Sequence, residues 1–249
     1  MRRGLTSGKA YLGSLGVLAA VLVLATGANA QSTGPTAVPL DAGIKLVPID
    51  VSGETRNGPP QTLFYDNSMP GDFYILDTTA GGTMGAFFFD DIPFTGPKTV
   101  DRFDIGVVFP NAGTQTVDVV FMNQPLASGA PDVTEIASGT FAAGFTLTVT
   151  IPMAGAYEVQ VDFATVGLDP FVWNSSPPIP PRLPNNSFNW MGLRFGDPMA
   201  GWFEADPGIP LSSEDLIYDG DPEGPAFYTS VDLPGADGPL SFYVKLYEQ

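Results

Sequence analysis

Carboxylates are the residues of this chain that could carry out chemistry. The 249 residues include 27 Asp and Glu but no His and no Cys. Catalytic triads, Cys–His pairs and ordinary zinc sites all need His or Cys, so none of them can be built here. G-x-G-x-x-G and G-x-S-x-G motifs do not occur either. Two kinds of chemistry remain: acid–base catalysis by paired carboxylates, and coordination of Ca²⁺ by oxygen ligands.

Glu204 and Asp206, in GWFEAD, are the best-placed carboxylate pair. Alternate residues of a strand point to one face, so both would lie beside Trp202, whereas the adjacent Asp90 and Asp91 would point to opposite faces. Glycoside cleavage needs two carboxyl groups about 5 to 9.5 Å apart. Glu204 and Asp206 are therefore the candidate catalytic residues. A chain with 27 acids holds such a pair by chance, and the lack of any catalytic motif favours a protein that is not an enzyme.

A second acidic feature, the run YDGDPEG, places Asp219, Asp221 and Glu223 at alternate positions before Gly224. This is the spacing of the first Ca²⁺ ligands in an EF-hand loop. The twelfth position would be Ser230 instead of Glu, and a strand-like segment follows where a helix is required, so the EF-hand is rejected. Two interpretations stay open: a looser Ca²⁺ loop completed by ligands from elsewhere in the fold, and an acidic turn between strands.

The three tryptophans, Trp173, Trp190 and Trp202, fall within a span of thirty residues that also holds Asn174. Flat indole faces pack on the C–H bonds of sugar rings, and side-chain amides bind sugar hydroxyls. Trp202, Trp173 and Asn174 are therefore candidate ligand-binding residues. The alternative, which the size of the indole ring favours, is that the tryptophans fill the hydrophobic core.

The elements that must position these residues are strands. Short runs alternate apolar with polar side chains and are bounded by Gly, Pro, Asn and Asp, which predicts half-buried antiparallel strands. The clearest runs are RFDIGVVF, TVDVVFM, FTLTVTI, AYEVQVDF and LSFYVKLYE, and a weaker one is EIASGTF. PMAGAYE (152–158) is predicted to close a hairpin. About a dozen such strands predict an all-β fold: a single, jelly-roll-like β-sandwich with antiparallel sheets and long Pro-rich loops.

The first thirty residues predict a cleaved secretory signal peptide. Arg2, Arg3 and Lys9 precede an apolar stretch, and Ala28-Asn29-Ala30 supplies the small residues that a signal peptidase reads. The alternative is a membrane anchor. The unbroken apolar core of about a dozen residues is shorter than the ~20 that span a bilayer, which favours the signal peptide.

The remaining chain is predicted to be one domain. Residues 31–42 form a flexible lead and residues 43–249 the β-sandwich, with the Pro-rich segment 175–187 as a long surface loop. No later segment is apolar enough to span a membrane. Secretion to an extracellular or periplasmic location follows from the predicted signal peptide, and a secreted chain without Cys or His is typical of bacteria.

The charge of the chain limits its partners. The net charge is −17, and all acids lie after residue 30. Such a surface repels nucleic acid and anionic lipid and attracts cations, Ca²⁺ among them. Nucleic acid and anionic lipid are therefore discarded as partners, and the expected partner is instead a polysaccharide or an extracellular matrix component.

Several segments resemble secreted bacterial β-sandwich proteins that often carry a C-terminal Pro-Glu-Pro sorting tail. The segments are TLFYDNS, VDRFDIGVVFPNAGTQTVDVVFMN, EIASGTFAAGFTLTVTIP and WMGLRFGDP followed by GWFEAD. The sorting tail is not found in this sequence, so the resemblance does not predict surface anchoring. The resemblance implies an exported, non-catalytic domain: a structural or binding module for a glycan or matrix component, with Ca²⁺ assisting. A carboxylate-dependent glycoside hydrolase or lyase is the alternative.

Overall fold

The computed structural model describes part of the chain in detail. The described residues are 36–38, 44–49, 62–68, 70–76, 87–123, 125–126, 130–175, 188–205, 215–218 and 242–249. All of them lie in one compact unit, Gln31–Gln249, and a second unit comprises Met1–Ala30.

Strands dominate the described residues, as the alternating pattern predicts. They are β1 (Thr36–Val38), β2 (Lys45–Pro48), β3 (Thr62–Asn67), β4 (Pro70–Leu76), β5 (Phe87–Pro93), β6 (Lys98–Phe109), β7 (Gly113–Phe121), β8 (Ala143–Ile151), β9 (Gly155–Asp162), β10 (Phe171–Trp173), β11 (Phe188–Phe195), β12 (Gly201–Ala205), β13 (Asp215–Tyr218) and β14 (Val244–Glu248). Two short helices, α1 (Val133–Ser138) and α2 (Phe163–Val166), accompany them.

These strands form two sheets that pack face to face. One has six described strands in the order β1-β8-β7-β11-β5-β13; the other has eight, with β2-β9-β6-β12-β4 as its main path. Strand pairs are antiparallel except for β1 with β8. The prediction of an all-β sandwich is confirmed.

The twelve residues of β6 organise the eight-stranded sheet. One edge of β6 pairs with β9. The other edge is shared, because β14 pairs with the first half of β6 and β12 with Val107 and Val108 near its end. Tyr243 lies where β14 and β12 diverge: its carbonyl accepts from the Gly106 N–H at 2.9 Å, and its N–H donates to Phe203 at 2.8 Å.

Short links carry the chain from one sheet to the other. β6 and β7 lie in different sheets although only residues 110–112 separate them, and the same holds for β8 and β9 across residues 152–154. The prediction that residues 152–158 close a hairpin is therefore wrong. The pattern of alternation is the same for a hairpin and for a link between sheets, so it cannot distinguish them.

Helix α1 replaces a predicted strand. The Asp132 carboxylate caps its first turn by accepting from the Thr134 N–H at 3.0 Å, and Gly139 ends it with a left-handed φ of 69°. An Asp at the N-cap and a Gly after the last turn are helix boundary signals, and they override the alternation of EIASGTF.

The main core lies between the two sheets. It contains the inward residues predicted for β6, β7, β8, β9 and β14, among them Phe103, Ile105, Val119, Leu147 and Val159. A smaller core covers the opposite face of the six-stranded sheet: Phe87, Phe89, Val120, Met122, Phe141, Phe188 and Trp190. Burial of both faces explains why apolar and polar residues do not alternate regularly in β5 and β11.

Candidate functional site

The two tryptophans predicted to bind ligand lie in the core. Trp173 and Trp202 are 0% exposed. The Trp173 ring N–H donates to the Met122 carbonyl at 2.7 Å, and the Trp202 ring stacks on Phe242 with centroids 4.2 Å apart. Neither indole face is available to a sugar ring in this arrangement, and their positions are those of core residues.

Asn174, the third predicted binding residue, is exposed and lies beside a buried amide junction. Its carbonyl accepts from the side-chain amide of Asn189 at 2.7 Å. The same amide nitrogen lies 2.6 Å from the carbonyl of Asn123 and 3.0 Å from that of Met122. Asn189 therefore ties β11 to the chain segments that follow β7 and β10, which is a structural role.

The predicted acidic sites lie mostly outside the described residues. Asp206 and the predicted Ca²⁺ ligands lie outside the described residues; these ligands are Asp219, Asp221 and Glu223. Glu204 belongs to β12, but its side chain is not among those described. The catalytic pair and the Ca²⁺ loop stay predictions. Among the described residues, no group of three or more Asp and Glu is arranged to hold a metal ion.

Asp90 and Asp91 are both fully buried in β5. An Asp90 carboxylate oxygen accepts from the Phe242 N–H at 3.2 Å. Phe88 and Ile92, on the Asp90 side of the strand, belong to the main core, while Phe89, on the Asp91 side, belongs to the smaller one. The two carboxylates thus point to opposite faces of the sheet, as expected from their adjacency.

Sequence reasoning missed a charged site on the outer face of the eight-stranded sheet. We call it the outer cluster. It consists of Arg102 and Asp104 on β6, Glu158 on β9, Tyr243 just before β14, and Lys245 on β14. These residues alternate with the inward residues of the same strands. The register of the sheet places Asp104 opposite Lys245 on one side and Gln160 on the other, and Glu158 opposite Gly106.

Glu158 is the acceptor at one end of the outer cluster. One of its carboxylate oxygens accepts from the Lys245 ammonium at 2.6 Å and also from the Tyr243 hydroxyl. Its other oxygen accepts from the Gln160 amide. Three donors from two strands therefore converge on a single carboxylate.

Asp104 is the acceptor at the other end. Arg102, two residues away on the same strand and face, donates to both of its carboxylate oxygens at 2.8 Å. The Tyr247 hydroxyl of β14 donates to one of these oxygens at 2.9 Å, and the Arg102 guanidinium carbon lies 4.5 Å from the centre of the Tyr247 ring. A bidentate Arg–carboxylate pair is the strongest geometry for such a contact.

The outer cluster is buried although it faces away from the main core. Asp104 is 0% exposed, Tyr243 1%, Arg102 4%, Glu158 5% and Lys245 7%. Buried charges are stable only when paired and hydrogen-bonded, and each charge here has an opposite partner. The cluster joins β14, the last strand, to β6 and β9.

Burial and pairing shift the pKa of each carboxyl group differently. Burial by itself raises the pKa of Glu158, but hydrogen bonds from Lys245, Tyr243 and Gln160 outweigh it, so the pKa lies below its ordinary value of 4.5. At Asp104, by contrast, burial dominates and raises the pKa above 3.8 against the hydrogen bonds from Arg102. Burial raises the pKa of Tyr243 as well, and the negative Glu158 beside it adds to the effect.

The pKa shifts of Arg102 and Asp104 favour the charged form of one partner and disfavour that of the other. Burial disfavours the charge of Arg102, but the hydrogen bond to Asp104 and the negative charges of Asp104 and Glu158 together outweigh burial and raise the pKa of Arg102. The carboxylate charge is disfavoured, because Asp104 is fully buried and also feels the negative charge of Glu158. The geometry is that of an intact ion pair.

Chemically, the outer cluster has little capacity left for a reaction. Both carboxylate oxygens of Glu158 and both of Asp104 already accept hydrogen bonds from the protein. A general acid or base must reach the proton it transfers, and these oxygens are occupied and buried. The arrangement holds strands together.

A signal for this site exists in the sequence, but it is incomplete. Alternation places the charged residues of RFDIGVVF, AYEVQVDF and LSFYVKLYE on the faces opposite to the apolar ones. Opposite charges on three strands suggest pairing, but the order of the strands in the sheet is needed to join them. A polar face of a strand is normally expected to be exposed to solvent, so the sequence does not predict that these charged residues are buried.

Comparisons with known proteins add no relative: the chain matches no protein family, no curated protein and no solved structure. Within the described part of the chain, no helix is both long and apolar enough to cross a membrane.

Proposed function

We propose that the chain is an exported, non-catalytic β-sandwich that serves as a structural or binding module outside the cell. One observation carries the proposal: the polar groups of the outer cluster are buried and paired with one another. Their arrangement supports a sheet whose strands are joined by side-chain contacts, and within the outer cluster every carboxylate oxygen already accepts a hydrogen bond. The signal-like N-terminus and the net charge of −17 are consistent with a soluble module in a cation-rich medium.

The ligand class proposed for this module is a polysaccharide or matrix component, with Ca²⁺ assisting. The burial of Trp173 and Trp202 removes the two indole rings from this hypothesis. It now rests on the acidic surface, on the exposed Asn174 and on the predicted loop ligands Asp219, Asp221 and Glu223.

A carboxylate-dependent glycoside hydrolase or lyase is the second candidate, and the spacing of Glu204 and Asp206 favours it, because alternate residues of an extended segment point to one face. The outer cluster does not supply the acid and base of this reaction, since Asp104 and Glu158 are each buried and paired with a cation. Glu204 and Asp206 are therefore the catalytic candidates.

The release of reducing ends from a polysaccharide panel separates the two functions. We expect no release by the wild-type protein. Release that is lost in Glu204→Gln, and kept in the control Glu248→Gln on β14, would establish the hydrolase and overturn the proposal. Release of unsaturated products, read by ultraviolet absorbance in the same samples, would establish a lyase.

Calcium-dependent binding tests the ligand half of the proposal. We expect Ca²⁺ to raise the melting temperature and to strengthen co-sedimentation with an acidic polysaccharide. Asp219→Ala should lose both effects, whereas Asp66→Asn, at an exposed position of β3, should keep them. Identical melting curves with Ca²⁺ and with a chelator would remove Ca²⁺ from the account.

A further inference from the structure

The edge of the six-stranded sheet at β8 is unusual for an acidic protein. β8 (Ala143–Ile151) has the sequence AGFTLTVTI and holds no charged residue. Proteins usually protect edge strands with charges, Pro, bulges or very short length. β8 is nine residues long and has none of the first two devices within it.

Among the described residues, one short strand covers this edge. β1 (Thr36–Val38) pairs with Phe145, Thr146 and Leu147 only, and it runs parallel to β8. The other edge of β8 is fully paired with β7. Residues 148–151 therefore present their outer backbone groups without a described partner, and parallel pairing over three residues is a weak cover.

The side chains of β8 match a second copy of the same strand. From Phe145 to Ile151 the order FTLTVTI reads the same in residue class from either end, with Thr148 at the centre. The apolar residues Phe145, Leu147, Val149 and Ile151 face the core, and the three threonines face outward. Antiparallel pairing about Thr148 would place apolar opposite apolar and Thr opposite Thr, a favourable cross-strand pair.

Charge also selects this edge for contact between copies. Each chain carries a net charge of −17, so two copies repel over most of their surfaces. An uncharged strand is a place where the backbones can approach without bringing like charges together. Met153, which is 66% exposed in the link after β8, adds apolar surface at the end of the same strand.

We propose that β8 is a self-association edge: a second copy of this chain displaces β1 and pairs antiparallel with β8 about a two-fold axis at Thr148. Seven residues of antiparallel pairing would replace three of parallel pairing. The two sheets, each reduced to five described strands by the loss of β1, would join into one continuous sheet. This inference goes beyond the proposed function and does not rest on it.

Cross-linking through single cysteines tests the register, since the natural chain contains no Cys. In Thr148→Cys the two thiols would meet at the two-fold axis, where directly opposed Cβ atoms lie about 4.5–5.5 Å apart, close to the range that a disulfide spans. Thr114→Cys is the matched control, because Thr114 is exposed on the same face but one strand away from the edge. We expect a covalent dimer on mild oxidation of Thr148→Cys and monomer for Thr114→Cys.

Sedimentation velocity of the purified protein supplies the second test. We expect a dimer whose fraction rises with salt, because salt screens the repulsion between acidic copies. Thr148→Lys should shift the protein to monomer, and Thr114→Lys should not. A wild-type monomer at all salt concentrations, or a dimer that survives Thr148→Lys, would overturn the proposal. Circular dichroism of each variant distinguishes lost pairing from lost folding.

Discussion

Tryptophan is a residue type that suits both a sugar-binding surface and a hydrophobic core. Trp173, Trp190 and Trp202 are each 0% exposed. Trp173 packs against Phe121 and Phe94, with ring centroids 5.1 and 4.8 Å away. The same aromatic character that suits a sugar ring also suits a core built from phenylalanine, and proximity in sequence does not distinguish the two.

This burial predicts the fluorescence of the protein. We expect emission typical of buried indole, weak quenching by acrylamide, and no change on adding any polysaccharide that the protein binds. Unfolding in urea should shift the emission to that of exposed indole. Strong quenching in the folded protein, or a shift on adding a polysaccharide, would return the tryptophans to the binding surface.

The carboxyl groups of the outer cluster predict two opposite dependences of stability on pH. The pKa of Glu158 is lowered in the folded state, so its contribution to stability is present above the ordinary value of 4.5 and is lost as the pH falls through the lowered value. The pKa of Asp104 is raised. Its titration therefore favours the folded state below 3.8, and that contribution is lost as the pH rises through the raised value.

Urea unfolding at a series of pH values measures both effects. We expect the difference in unfolding free energy between wild type and Glu158→Gln to shrink with acidification. For Asp104→Asn, the same difference in unfolding free energy should grow with acidification, because protonation of Asp104 favours the folded state. Two differences that vary with pH in parallel would contradict the assigned pKa directions.

At the scale of elements, Gly106 is the point where three strands meet. A Cβ at Gly106 would lie 2.6 Å from the Cβ and Cγ of Tyr243. Because Gly106 has no side chain, Tyr243 can lie against β6 and reach Glu158 on β9. β14 and β12 share one edge of β6 around this contact.

Gly106→Ala should therefore destabilise the protein, by about 1–3 kcal/mol as for other overpacked sites. Gly155→Ala is the matched control in β9, because its Cβ would lie 3.6 Å from the Tyr157 ring, an ordinary contact. The control should be neutral or slightly stabilising, since Ala loses less backbone entropy than Gly. Chemical denaturation measures both, and equal stabilities of the two variants would contradict the role of Gly106.

The inward faces of β6, β7, β8, β9 and β14 could be predicted from sequence, because alternation with period two is a local property. Strand order is not local, so the link at 152–154 was open to misreading as a hairpin and the outer cluster could not be assembled. β5 and β11 contribute residues to a core on each face, so their sequences lack the alternation that identifies a half-buried strand. Helix α1 was predictable in principle from Asp132 and Gly139.

For the whole molecule, a buried ion pair and a hydrogen bond fix the last strand in a chain without disulfides. The chain has no Cys, and its last strand is tied to the sheet by Lys245–Glu158 and by Tyr247–Asp104. Buried pairs of this kind are not strongly stabilising relative to apolar residues, but breaking one of them leaves an uncompensated charge. Integrity of the sandwich is therefore expected to depend on both partners being present.

Unfolding free energy of the Lys245 and Glu158 variants tests the structural role of the outer cluster most directly. Lys245→Met leaves a buried carboxylate without its cation and should cost about 3–5 kcal/mol. Adding Glu158→Gln should recover part of this loss, because no charge is then left unpaired. Lys98→Met, which breaks the more exposed pair with Glu248 at 3.0 Å, should cost less than about 1 kcal/mol.

A functional role of the outer cluster would give the opposite result. Residues that serve a reaction or a ligand are often held at a cost to stability, so replacing them stabilises the protein. If the outer cluster is structural, both Lys245→Met and Glu158→Gln unfold at lower urea concentration than the wild type. Single variants that equal or exceed the wild-type stability would contradict the structural role and would mark the outer cluster as a functional site.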